Sequence, residues 1–218
     1  MPTVFIVDDD PKVLKALARL LRAHGFEPCT FESAEAFLSQ LDAGGAGCLV
    51  LDVSLPGLDG LALQRRLADS GLALPIVFLT GHGDIPMSVQ AVKAGAVDFL
   101  TKPVDGETLL AAVRAGVAMD AMARQAQADG EALRGHYANL TEREREVLSA
   151  LAAGRLNKQI AGDLGITLPT VKFHRARIME RMHARTVAEL MHLFAMLERP
   201  PVDGAGPSSE PAAEPPRR

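Results

Sequence analysis

Through roughly the first 115 residues, short apolar runs alternate with segments whose apolar residues recur at helical spacing. VFIVDD (4–9), FEPCTF (26–31), CLVLD (48–52), PIVFLT (75–80) and VDFLTKP (97–103) read as five strands. VLKALARLLRAHG (13–25) is amphipathic and ends on Gly25, where a helix would stop. SAEAFLSQL (33–41) opens on Ser33 as N-cap, with Glu35 close behind. LDGLALQRRLADSG (58–71) and SVQAVKAGA (88–96) repeat the logic, and a fifth helix starts near Asp105. Strict alternation of five strands and five helices predicts a parallel, doubly wound α/β sheet with right-handed crossovers. No solenoid-type repeat is present.

The pattern then changes. Residues 118–138 are rich in Ala, Gln, Met, Arg and Asp and contain Gly130 and Gly135, which predicts a linker that is helical in its first half. Thr141 followed by Glu144 forms a capping-box signature. Four helices are expected after it, over 142–153, 157–164, 168–183 and 186–198. Gly154 ends the first, Gly165 separates the second from the third, and Pro169 sits near the start of the third. Two short helices joined through a Gly-containing turn suit a helix-turn-helix unit, whose second helix enters the major groove, although an ordinary helical bundle with a solvated basic face has the same pattern. Val171, Ile178 and Met182 suit the core face of that helix, while Lys172, His174, Arg175, Arg177 and Arg181 take polar positions. In the last helix Leu190, Leu193, Phe194 and Leu197 form a stripe at helical spacing that is expected to be exposed, although core packing explains some of them equally well. Residues 200–218 are Pro, Gly, Ser, Ala and Glu with almost no large apolar residue, and are expected to be disordered. The chain therefore divides into domains at 1–117 and 139–199, a linker at 118–138 and a tail at 200–218.

Charge sharpens the division. Residues 1–120 carry nine Lys/Arg against fifteen Asp/Glu, whereas 139–199 carry ten against seven, plus His174, His183 and His192. Opposed balances suggest different partners for the two halves, although chance variation of surface charge explains a difference of this size too. Two cysteines are too few for a disulfide framework. Cys29 and Cys48 fall on the second and third strands, which a doubly wound sheet separates by the first, so both read as reduced core thiols. Asp8 interrupts the first apolar run, so no signal peptide is expected, and no run approaches the ~20 residues of a membrane span. A cytoplasmic protein without membrane contact is expected.

The chemistry gathers at strand ends. Asp8 and Asp9, Asp52, Thr80 and Lys102 each follow or close an apolar run, with Phe99 just behind. Ligands of open parallel sheets bind beyond the carboxyl ends of the strands, so one rim would collect three carboxylates, a hydroxyl and an ammonium. That set suits Mg²⁺ together with a phosphoryl group. Asp9 and Asp52 would each supply a carboxylate oxygen, and a backbone carbonyl just after Asp52, assigned to Ser54, a third ligand; Asp8 would hold a coordinated water. A carboxylate also serves as a nucleophile toward phosphorus. Singly, each residue has an ordinary explanation: Asp8-Asp9-Asp10 as an acidic helix start, Asp52 as a turn residue, Thr80 as structural, Lys102 as a surface lysine. Their conjunction in order along one sheet points to signalling.

VDD, LDVSLPGLDG, FLTGHGD and AGAVDFLTKP over residues 1–120 resemble the receiver domain of two-component systems, and TGHGD with VQAVKAGAVDFL is most similar to the FixJ-like subfamily. The resemblance implies a flavodoxin-like fold, Asp52 as phosphoacceptor, Asp8 and Asp9 as the acidic pair, Thr80, Phe99 and Lys102 as switch residues, and a cis Lys102–Pro103 bond. Ser54 and His82 depart from common family patterns and bear on the lifetime of the phosphorylated state. LTEREREVL, NKQIA, LGI and TVKFHRARIMERM resemble the LuxR-type helix-turn-helix. This places Lys172, Phe173 and Ala176 at base-facing positions, with Asn157, Lys158, Thr170 and Arg175 as phosphate contacts, and makes the last helix a dimerisation helix. The implied partners are a sensor histidine kinase, double-stranded promoter DNA, RNA polymerase and a second copy of the chain in a phosphorylation-dependent homodimer. Such a chain is a transcription regulator, not an enzyme. Two rival readings stand beside this one: a phosphatase using Asp52, disfavoured because Ser54 stands where dehalogenase-like phosphatases place a second Asp, and a phosphorylation-independent regulator, disfavoured by the intact pocket.

Overall fold

Each of the five apolar runs forms a strand: β1 (Thr3–Val7), β2 (Glu27–Phe31), β3 (Cys48–Leu51), β4 (Ile76–Thr80) and β5 (Asp98–Thr101). They pair in parallel in the order β2-β1-β3-β4-β5. The computed structural model describes residues 1–41, 45–81 and 85–198, in two units that divide after Arg124. His82 and the tail at 200–218 lie outside the described residues.

In the first unit, β3 and β4 are buried along their whole length because helices cover both faces of the sheet. One face packs α1 (Pro11–Ala23) and the start of α5 (Gly106–Ala138): Leu14, Leu17, Leu21, Leu109, Leu110 and Val113 close over Val4, Ile6, Val50, Val77 and Leu79. The other packs α2 (Ala34–Gln40), α3 (Gly60–Asp69) and α4 (Ile85–Lys93), where Phe37, Leu63, Leu67 and Ala91 meet Val7, Leu49, Leu51 and Phe78. Period-two alternation along each strand thus sends neighbouring residues to opposite cores. Side chains of Asp10, Ser33 and Asp59 cap α1, α2 and α3. Cys29 and Cys48 are free thiols on strands separated by β1, and burial pushes the Cys48 thiol up to about 12, assisted by Asp120.

The fourth and fifth helices differ from expectation. The fourth begins at Ile85 rather than 88, because Pro86 fits the first turn of a helix, and it stops at Lys93, ahead of Gly95 at φ +91°. α5 continues unbroken to Ala138, so 118–138 is helical throughout rather than in its first half only. Each Gly within a helix costs only about 1 kcal/mol relative to Ala. Good helix formers surround Gly130 and Gly135, and Leu133 is anchored in the core of the second unit.

That second core gathers Leu133 and Leu140 with residues of α6 (Glu142–Ala152), α7 (Asn157–Asp163), α8 (Leu168–Arg181) and α9 (Val187–Glu198). Thr141 and Glu144 form the expected capping box, Gly154 and Gly165 end their helices at positive φ, and Val171, Ile178 and Met182 fill the core. His183, at φ +53°, turns the chain just after α8, earlier than expected. Of the two readings of the α9 stripe, core packing holds: Leu190 and Phe194 are buried and Leu193 and Leu197 partly buried against the same core. An apolar stripe at i, i+4 is the same pattern whether it faces its own bundle or a partner. Here the bundle takes it.

Candidate functional site

The carboxyl ends of β1, β3, β4 and β5 bring together Asp8, Asp52, Thr80 and Lys102, as parallel strands in register require. The Asp triplet divides its tasks. Asp10 caps α1, accepting from the Lys12 amide at 2.8 Å. Asp8 is 2% exposed, with Oδ1 accepting from the Asp10 amide at 3.0 Å. Asp9 is exposed. One carboxylate oxygen from each of Asp8, Asp9 and Asp52 lies within 4.8 Å of the others. An oxygen-only cluster of this size is chemistry suited to a hard divalent cation.

Asp52 is buried and positioned from three directions. Its amide donates to Val7 O at 2.9 Å, its Oδ1 accepts from the Ser54 amide at 2.9 Å, and its Oδ2 accepts from Lys102 Nζ at 2.6 Å. Lys102 Nζ also donates to Asp8 Oδ2 at 2.5 Å, so one ammonium bridges both buried carboxylates. Burial is the largest influence on Asp8 and raises its pKa, with the Lys102 and Asp10 hydrogen bonds opposing. Burial alone would lower the Lys102 pKa, but hydrogen bonds and attraction to Asp52 and Asp8 outweigh it and hold the ammonium above its usual value. The Lys102 amide donates to Thr80 O at 2.7 Å, which ties β4 to the turn after β5, and the Lys102–Pro103 bond is cis, as the family resemblance implied. Thr80 is fully buried at the end of β4. Phe99 is half-buried on β5, paired in register with Phe78 and 6.0 Å from it between ring centroids.

Sequence reasoning missed Gly60, which shapes this rim, and Gln64, which joins two helices beside the sheet. Gly60, at the start of α3, lies so close that a Cβ there would stand 2.4 Å from Asp52 O. Gln64, one turn on and 5% exposed, donates through Nε2 to Ala91 O and Ala94 O, both at 3.2 Å, tying α3 to the end of α4. Nothing local in the LDG run signals the approach of Gly60 to Asp52.

In the second unit, Lys158, Lys172, Phe173 and Ala176 are exposed, while Asn157, Thr170 and Arg175 are half-buried. Arg175 Nη1 donates to Asn157 Oδ1 at 2.7 Å, joining α8 to the start of α7. Arg181, expected along the polar face, is held by Glu144 Oε2 at 2.8 Å and by Asn139 O at 2.8 Å. Glu144 is 4% exposed. Burial would raise its pKa, but the Thr141 amide and hydroxyl and the Arg181 charge outweigh burial and lower it.

Residues 4–114 match the response regulator receiver domain family, and 138–194 match the bacterial regulatory proteins of the luxR family. The chain is 43% identical over 195 residues to the response regulator protein TmoT of Ectopseudomonas mendocina, covering 89% of each. It is 42% identical over 209 residues to the transcriptional regulatory protein FixJ of Azorhizobium caulinodans, covering 94% of this chain and 97% of that one. Among solved structures, the response regulator StyR aligns with a TM-score of 0.81 at 47% identity, over 89% of this chain and 98% of its own. Full-length FixJ from B. japonicum aligns with a TM-score of 0.56 at 37% identity, over 90% and 97%. No described helix is long and apolar enough to cross a membrane. The chain belongs to the response regulators that join a receiver domain to a luxR-family DNA-binding domain, and it regulates transcription in dependence on phosphorylation.

Proposed function

We propose that Asp52 is the phosphoacceptor and that a sensor histidine kinase in the cytoplasm is the donor. The observation that carries this is the single ammonium of Lys102 spanning the buried carboxylates of Asp52 and Asp8. A carboxylate oxygen of Asp52 forms a bond to phosphorus as the donor's phosphorus–nitrogen bond breaks. Lys102 then transfers its hydrogen bonds to phosphoryl oxygens, and the Thr80 hydroxyl donates to another. Asp8, Asp9 and Asp52, with the Ser54 carbonyl, would hold Mg²⁺, which supplies charge neutralisation for the phosphoryl oxygens when bound. The cluster of oxygens within 4.8 Å supports that assignment. Thr80 and Phe99 carry the state of the site to the neighbouring surface, favouring a homodimer.

The receiver spans 1–117, a helical linker 118–138 and the DNA-binding domain 139–199. Double-stranded promoter DNA is the target, with Lys172, Phe173 and Ala176 toward base edges and Asn157, Lys158, Thr170 and Arg175 toward phosphates. RNA polymerase is the partner downstream. The test is covalent labelling by acetyl phosphate with Mg²⁺, paired with duplex binding, for wild type and Asp52→Asn. Wild type is expected to incorporate one phosphoryl group and bind DNA more tightly as a result, and Asp52→Asn to do neither. Stoichiometric labelling of Asp52→Asn would overturn the assignment.

A further inference from the structure

Phe173 is 61% exposed, the one aromatic among the exposed large hydrophobic side chains of the described residues. It is not needed by the core, which takes Val171 and Ile178 from the same helix. Its ring meets only the edge of His174 among described aromatic rings, at 5.8 Å between centroids and 66° between planes. Ala176 is exposed three residues on, so α8 presents a small apolar patch. Lys172, Arg175 and Arg177 flank it, and such a cationic border suits a polyanion rather than an apolar protein partner.

Base edges in the major groove offer hydrogen-bond donors and acceptors at every pair and a single apolar group, the C5-methyl of thymine. Neither Phe nor Ala can make the bidentate hydrogen bonds that read guanine or adenine. Resting on the reading of α8 as the helix that enters DNA, we propose that Phe173 reads a thymine 5-methyl group, making it a determinant of specificity through apolar contact. The patch places thymine in each half-site, beside whichever base Lys172 reads.

The full-length chain, treated with acetyl phosphate and Mg²⁺, would be used to recover its preferred duplexes from a random pool. Each thymine in the recovered site is then replaced by deoxyuridine, which removes the methyl and leaves base pairing intact. Wild type is expected to weaken about fourfold for each contacted methyl lost, the loss for one buried carbon. Phe173→Ala is expected to bind the thymine and deoxyuridine duplexes alike. Lys172→Ala is expected to weaken binding while keeping the thymine preference. An unchanged melting temperature of Phe173→Ala shows that the exposed side chain was not holding the fold. Wild type indifferent to deoxyuridine at every position, or Phe173→Ala retaining the wild-type preference, would overturn the thymine contact while leaving DNA binding intact. Recovery of no preferred duplex would instead sink the DNA-reading role of α8, and the thymine contact with it.

Discussion

Lys102 and Asp52, fifty residues apart, meet at 2.6 Å through Nζ and Oδ2, and the same ammonium reaches Asp8 Oδ2 at 2.5 Å. Lys102 thus occupies electrostatically the place a divalent cation would share. An added cation and the ammonium compete for the same carboxylate charge.

That competition gives Lys102→Ala two effects of opposite sense. Mg²⁺ affinity should rise, because two buried carboxylates lose their fixed counter-charge. Phosphoryl uptake should slow on the order of a hundredfold, the usual loss when one preorganised donor is removed. Calorimetric titration of Mg²⁺ and the rate of labelling by acetyl phosphate measure the two separately. Weaker Mg²⁺ binding would show that Lys102 does not compete for the carboxylates.

Asp8→Asn should stabilise the first unit at neutral pH. Burial holds the Asp8 pKa above the ordinary 3.8, so the fold favours the neutral acid. Its contribution is full below 3.8 and is lost as pH rises through the folded value, leaving an ionised carboxylate buried at a cost. The variant should melt about 5 °C higher at pH 7 without divalent cations, the shift that about 1 kcal/mol gives in a domain of about 100 residues. The gap should close in acid below 3.8 and narrow when Mg²⁺ binds wild type. Thermal melts across pH, with and without Mg²⁺, check all three.

Glu144→Gln behaves in the reverse sense. Hydrogen bonds from Thr141 and the Arg181 charge outweigh burial and hold Glu144 below its ordinary 4.5. Its contribution is therefore present above 4.5 and lost as pH falls through the folded value. The variant should cost about 1 kcal/mol at neutral pH, since Arg181 is partly exposed and screened, and nothing in strong acid. Chemical denaturation of the second unit at pH 7 and pH 3 provides the comparison.

Two glycine substitutions separate crowding from propensity. At Gly60 a Cβ would stand 2.4 Å from Asp52 O and 2.9 Å from Val53 Cα, so Gly60→Ala should cost about 2 kcal/mol by overpacking and slow labelling of Asp52. At Gly130 a Cβ would meet only the Arg134 guanidinium, at 3.6 Å. Gly130→Ala should therefore stabilise α5 by about 1 kcal/mol through helix propensity. Equilibrium denaturation of both variants, with the labelling rate for the first, tests them.

The five strands, their parallel pairing and the rim that holds Asp8, Asp52, Thr80 and Lys102 were legible in the chain because each rests on a local signal. Apolar runs mark strands, polar residues at their ends mark the rim, and alternation with amphipathic helices fixes the crossovers. The helix-turn-helix was equally local, with its capping box at Thr141 and its Gly turns. α9 was harder, since periodicity shows that Leu190 and Phe194 share a face and says nothing about what that face meets. The continuous α5 was missed because glycines weigh against a helix locally, while Leu133 repays them through a tertiary contact.

By itself, then, the sequence determined which residues form elements and which chemistry ends up at one edge of the sheet, since hydrophobic period and strand order act over a few residues at a time. Only the tertiary structure decided that one Lys102 ammonium bridges two carboxylates, that Gly60 must be bare beside Asp52, and that Arg181 belongs to Glu144 while Phe173 stays exposed. Each depends on distances between residues far apart in the chain, and those are set by how the layers pack.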